Sequence, residues 1–97
     1  MGATTFCEKV SANSAQEAFD RAVTDAQWEH GHGGYSGTIA EKDSFRMCEP
    51  TPEGMIPEEW MDVLLSREDH FSDDKWGPAA CIDCGKGFYL FFGWASC

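Results

Sequence analysis

Polar and apolar residues alternate over residues 2–10, where Ala3, Thr5 and Cys7 interleave with Thr4, Phe6 and Glu8. A period of two with β-branched content predicts a strand. From residue 14 the period changes. Ala15, Ala18, Phe19, Ala22, Val23 and Ala26 recur at i, i+3, i+4, i+7 spacing and predict a helix over 14–30. Ser14 and Glu17 fit a capping box at its start. The stripe is mostly alanine, so the helix can lie close against a sheet. Trp28 falls on the opposite side of the helical wheel, either packed under a loop or exposed as a binding anchor. Gly31-His32-Gly33-Gly34 ends the helix, glycine entering the left-handed cap without a Cβ clash.

Residues 36–48 predict a second strand region, one bent strand or a hairpin turning near Lys42-Asp43-Ser44. Pro50, Pro52, Gly54 and Pro57 break the chain. A second helix is predicted from Pro57 to about Asp69, with Glu58 and Glu59 complementing the positive end of its dipole. Trp60, Val63 and Leu64 form its inward stripe, widened by Met61 and Leu65. Trp76-Gly77-Pro78 reads as a turn. Ala79–Cys84 and Phe88–Ala95 read as strands joined through Gly85-Lys86-Gly87.

The order β-α-β-α-β-β implies an α+β fold in a single small domain, residues 1–97. The expected arrangement is a two-layer sandwich, a mainly antiparallel sheet with two helices on one face. The last strand sits uneasily with two layers. Phe88, Tyr89, Leu90, Phe91 and Phe92 leave no polar face, and Trp94 follows, so both faces demand burial. A loop, a second copy or a partner must then cover the face that the helices leave open. A homo-oligomer through this aromatic C-terminal strand is one expectation.

Composition sharpens the class. Hydrophobic residues are 42% of the chain, which excludes a disordered acidic tail. Seventeen Asp+Glu against seven Lys+Arg give a charge of −10. That argues against unaided binding to nucleic acid or an anionic membrane, and favours a protein partner with a basic surface. Between Glu49 and Asp74 nine acidic residues face Arg67 alone. Candidate protein-binding residues are therefore Glu58, Glu59, Asp62, Glu68, Asp69, Asp73 and Asp74, with Trp28 and Tyr35 as aromatic anchors. Blandly read, the acidity only keeps a small protein soluble. The first residues show no signal-peptide pattern and no apolar run reaches membrane-span length, so a cytoplasmic protein with reduced thiols is expected.

Cys81-Ile82-Asp83-Cys84-Gly85 offers half of a tetrahedral zinc site. His30 and His32 are candidates to complete it, as are Cys7 and Cys48. In the plainer reading both cysteines are compact hydrophobes on a hairpin strand. A redox role is weaker, because the helix that lowers a thiol pKa in thioredoxin-like sites does not follow. The His/Gly-rich stretch 30–37 is either cap and turn or a small-ligand surface built from His32, Tyr35 and Trp28. Its glycines follow a helix, at the negative end, which disfavours a phosphate ligand. No catalytic residue can be assigned from spacing, and zinc is the one candidate cofactor.

Gly2-Ala3-Thr4-Thr5-Phe6 and the stretch from His30 to Lys42 resemble small proteins encoded by bacteriophages and prophages. Those proteins share a GATTF-like strand, an Ala-rich helix and a GHGGYxGTIAEK-like segment. Trp76-Gly77-Pro78 and Phe91-Phe92-Gly93-Trp94-Ala95-Ser96 are similar to the same pattern, so the likeness touches most of the chain in patches. The Cys81/Cys84 pair lies outside it. The resemblance implies a viral origin and action in the host cytoplasm, and transfers no catalytic residue. A phage-type accessory protein would block or redirect a host protein, such as a defence or nucleic-acid-binding protein, through its acidic segment.

Overall fold

A computed structural model describes residues 3–30, 39, 42–67 and 77–96. The elements follow the expected order: β1 (Ala3–Ser11), α1 (Ala15–His30), β2 (Phe45–Met47), α2 (Pro57–Leu65), β3 (Ala79–Gly85) and β4 (Phe88–Ser96). The four strands form one sheet in the order β1-β4-β3-β2. β1 and β3 both run antiparallel to β4, and β2 runs parallel to β3. The fold is α+β with a mixed, mainly antiparallel sheet.

Local chemistry explains the element ends. The Ser14 hydroxyl accepts the Glu17 N–H at 3.2 Å, the first half of the expected capping box. At α2, the Glu59 carboxylate accepts the Ile56 N–H at 3.2 Å, and Pro57 opens the first turn. The β3–β4 hairpin turns on Lys86 (φ 56°) and Gly87 (φ 82°). Two successive positive φ values characterise a type I′ turn, whose twist matches the strands it joins. Of the expected middle strand region, residues 36–38, 40 and 41 lie outside the described residues. Among those described, Phe45–Met47 pair with β3, and the Lys42 N–H bonds back to the Ile39 carbonyl.

The helices do not share one face, and this corrects the two-layer expectation. Ala79, Cys81, Phe91 and Ala95 pack with Ala18, Phe19, Ala22 and Ala26 of α1. The alternate residues Ala80, Ile82, Leu90 and Phe92 pack with Trp60 and Leu64 of α2. Successive strand residues point to opposite faces. The sheet is therefore sandwiched, with α1 on one side and α2 on the other. On the α1 side three rings interlock: Phe19 lies 5.1 Å from Phe45 and 5.7 Å from Phe91, and Phe45 meets Phe91 edge-on at 87°.

This arrangement answers the demand of the aromatic strand. β4 is interior, with β1 on one edge and β3 on the other. Phe91 and Phe92 face opposite helices and both are fully buried. The burial that suggested a second copy over β4 is supplied within the chain.

Candidate functional site

The acidic side of the molecule is built on α2. Burying Trp60 and Leu64 turns Glu58, Glu59 and Asp62 outward, and all three are exposed. Glu49 and Glu53, in the lead-in to the helix, are exposed as well. Trp60 pins that lead-in, since its indole N–H donates to the Glu49 carbonyl at 2.9 Å. Arg67 stacks over the Trp60 ring at 5.4 Å from its centroid. Glu58 pairs with Lys9 of β1 at 3.6 Å; both side chains are about half exposed, so the pair adds little stability. Two of the three α2 carboxylates thus have structural work as well, Glu59 at the helix start and Glu58 with Lys9. Glu68, Asp69, Asp73 and Asp74 lie outside the described residues.

Charge is distributed differently in space than along the sequence. Helix α1 carries Glu17, Asp20, Asp25 and Glu29 against Arg21, which is itself bound to Glu17 at 3.2 Å. Both outer layers are therefore acidic, and the sheet between them is nearly balanced. Trp28 is 90% exposed on α1 and so is not packed under a loop. It stands across the sheet from Glu58, Glu59 and Asp62, so no single flat surface gathers all four. Tyr35 and His32 lie outside the described residues, as does the side chain of His30.

The Cys81/Cys84 pair does not converge. The two cysteines are three apart on one strand, and that odd spacing sends their side chains to opposite faces. Cys81 is buried among α1 contacts, while Cys84 packs against the α2 cluster, its thiol 3.6 Å from the Ile82 carbonyl. This corrects the expected half-site: these two sulfurs are not poised to chelate one ion. Cys48, next to β3, packs on the α2 side. Among the described residues no group of three or more His, Cys, Asp or Glu could hold a metal ion.

The thiols are also poorly activated. Burial pushes Cys81 up to about 12 and Cys48 up to about 11 from the ordinary 9.0. Burial raises Cys7, aided by the carboxylates of Glu8, Glu58 and Asp62, and burial raises Cys84. A nucleophilic or metal-binding thiol needs the thiolate, which all four disfavour near neutrality.

Sequence reasoning places Lys42 at a candidate turn and at the end of the His30–Lys42 stretch, and gives no sign that it is buried. It is 4% exposed; its ammonium donates to the Gly77 carbonyl at 2.9 Å and lies 6.0 Å from the Phe6 ring centroid. It clasps the stretch before β2 to the stretch before β3.

No protein family, curated protein or solved structure matches the chain. No helix among the described residues is long and apolar enough to cross a membrane.

Proposed function

We propose that this chain is a non-enzymatic, phage-type accessory protein that occupies a basic surface of a host cytoplasmic protein, in competition with nucleic acid. The observation that carries the reading is the outer face of α2, where Glu58, Glu59 and Asp62 are exposed and no basic residue stands on the helix. Glu49 and Glu53 extend that face along the lead-in. Carboxylates held on a rigid helix steer a basic partner by long-range attraction and give it a fixed target.

The test is capture of host proteins by the tagged chain at two ionic strengths. Raising salt from about 0.1 M to about 1 M shortens the screening length from about 10 Å to about 3 Å. A nucleic-acid-binding partner is recovered at low salt and lost at high salt. It is lost at low salt with a Glu53→Lys/Asp62→Lys double variant, which leaves the Glu58 ion pair and the Glu59 cap in place. Recovery indifferent to both salt and charge reversal overturns the reading.

A further inference from the structure

The backbone of β1 shows which of its polar groups are already used. The Ala12 N–H donates to the Gly87 carbonyl at 2.9 Å, in the same register that sets Ser11 opposite Phe88. In an antiparallel ladder, cross-strand bonds fall on every second residue. Even-numbered residues of β1 therefore bond to β4, and Ala3, Thr5, Cys7, Lys9 and Ser11 direct their N–H and C=O groups away from the sheet. Ser11 agrees, since its carbonyl accepts Nη1 of Arg21 at 2.6 Å. Among the described residues no strand pairs with this outer edge, and a nine-residue edge is a ready template for another strand.

A second observation lies on the same side. Arg21 reaches the outward carbonyl of Ser11, so its side of α1 overhangs the open edge. Trp28 is seven residues, two helical turns, further along and shares that side. Among the described residues it is the most exposed of the large apolar side chains, at 90%.

We propose that this side is a homodimer interface: β1 pairs antiparallel with β1 of a second copy about a two-fold axis at Cys7, and Trp28 is buried against that copy. Cys7 is the midpoint of Ala3–Ser11, so pairing about it uses the strand from Thr5 to Lys9, the Ser11 carbonyl being held by Arg21. It sets Ala3 opposite Ser11 of the second copy, Thr5 opposite Lys9 and Phe6 opposite Glu8. No like charges stand directly opposite, and the outward groups of one copy meet the outward groups of the other. The same patch serves both copies, so the assembly closes as a dimer and does not grow. The interface borders the acidic face of α2, since Glu58 and Asp62 act on Cys7 at the axis and Glu58 pairs with Lys9. Each copy carries −10, so added salt strengthens it, the reverse of the effect on a basic partner.

Sedimentation velocity of the full chain in reducing buffer, over a concentration series, tests the proposal. The wild type is expected to pass from monomer to dimer. Thr5→Pro removes one outward N–H and leaves the β4 ladder intact. Trp28→Ala removes the anchor without touching the core. Each is expected to shift dimerisation to higher concentration, Trp28→Ala by at least about 30-fold, the size of a hot-spot truncation. A bismaleimide crosslinker, which adds one thiol across each of its two double bonds, is expected to trap a covalent dimer that Cys7→Ser abolishes. Paired Cα atoms at such a site stand about 5.5 Å apart, within the span of that reagent. A wild type that stays monomeric throughout overturns the proposal, whether or not an extended segment of another protein occupies the edge. So does a dimer that neither Thr5→Pro nor Trp28→Ala weakens. A covalent dimer that survives Cys7→Ser, or none from a sample that sediments as a dimer, overturns the axis at Cys7.

Discussion

Leu64→Ala probes whether α2 is a true third layer. Leu64 is 1% exposed and packs in one cluster with Trp60, Ile82, Leu90 and Phe92. Truncating a fully buried leucine removes its transfer free energy and leaves a cavity, together about 2–5 kcal/mol. Trp60 next to it in the cluster is held by a hydrogen bond at its indole N–H, so the site collapses incompletely and about 3 kcal/mol is expected. A domain of this size holds about 5–15 kcal/mol in all, so the loss is a large fraction. It corresponds to a fall in Tm of roughly 12–24 °C, at about 4–8 °C per kcal/mol. Thermal and urea unfolding followed by circular dichroism give both quantities, with Asp62→Ala on the exposed side of α2 as the control, expected within about 0.5 kcal/mol of wild type. A double-mutant cycle locates the packing. Leu64→Ala and Ile82→Val should couple by about 0.5 kcal/mol or more, because they share a cluster. Phe19→Leu and Ile82→Val, on opposite sides of the sheet, should add. A Leu64→Ala loss no larger than that of Asp62→Ala, or full additivity with Ile82→Val, would refute the placement of α2.

Three further outcomes follow from the geometry. Stability should decline above pH 9: unfolded thiols ionise from there, while folded Cys48 and Cys81 keep their protons to about 11 and about 12. The unfolded state then binds fewer protons, so stability present below pH 9 is lost at up to about 1.4 kcal/mol per pH unit per thiol. Urea titrations should show Cys81→Ala flattening this alkaline limb, and an unchanged limb removes the assignment. Lys42→Met keeps the stem but leaves the Gly77 carbonyl without its ammonium donor, at about 1–3 kcal/mol; hydrogen exchange near residues 42 and 77 should rise first. Glu59→Ala should lose about 1 kcal/mol by freeing the Ile56 N–H, whereas Glu59→Gln, which still accepts that bond, should recover most of it; equal losses in a urea series would count against the cap.

Much of this fold was legible because local periodicity carries it. The alanine stripe of α1 and the Trp60/Leu64 stripe of α2 point inward, and the Gly85-Lys86-Gly87 hairpin forms where its turn residues are. An apolar stripe tells a helix to bury one side, not which face of a sheet receives it. The deciding signal was in β4, where apolar residues at both parities asked for a cover on each face. The cysteine pair was decidable too. Strand assignment over 79–84 together with a spacing of three already separates the two side chains. Lys42 was not decidable, since its burial depends on the Gly77 carbonyl 35 residues away. The acidic residues were easy to find, but their layout was not. Sequence placed the charge on one segment, and the third dimension gave α1 an acidic exterior of its own.

The interior place of β4 also fixes when the molecule can form. β1 pairs with β4 from Ala3–Ser96 to Ser11–Phe88, so the earliest strand made waits for the latest of the described elements. Until residues 88–96 have left the ribosome, β1 and β3 have no strand to share, and neither helix has a complete wall to rest on. Assembly on the ribosome is all-or-none and slow in the way of non-local topologies. A nascent chain stalled between Leu65 and Phe88 presents the apolar sides of α1 and α2 to chaperones and proteases without the strand that completes their cover.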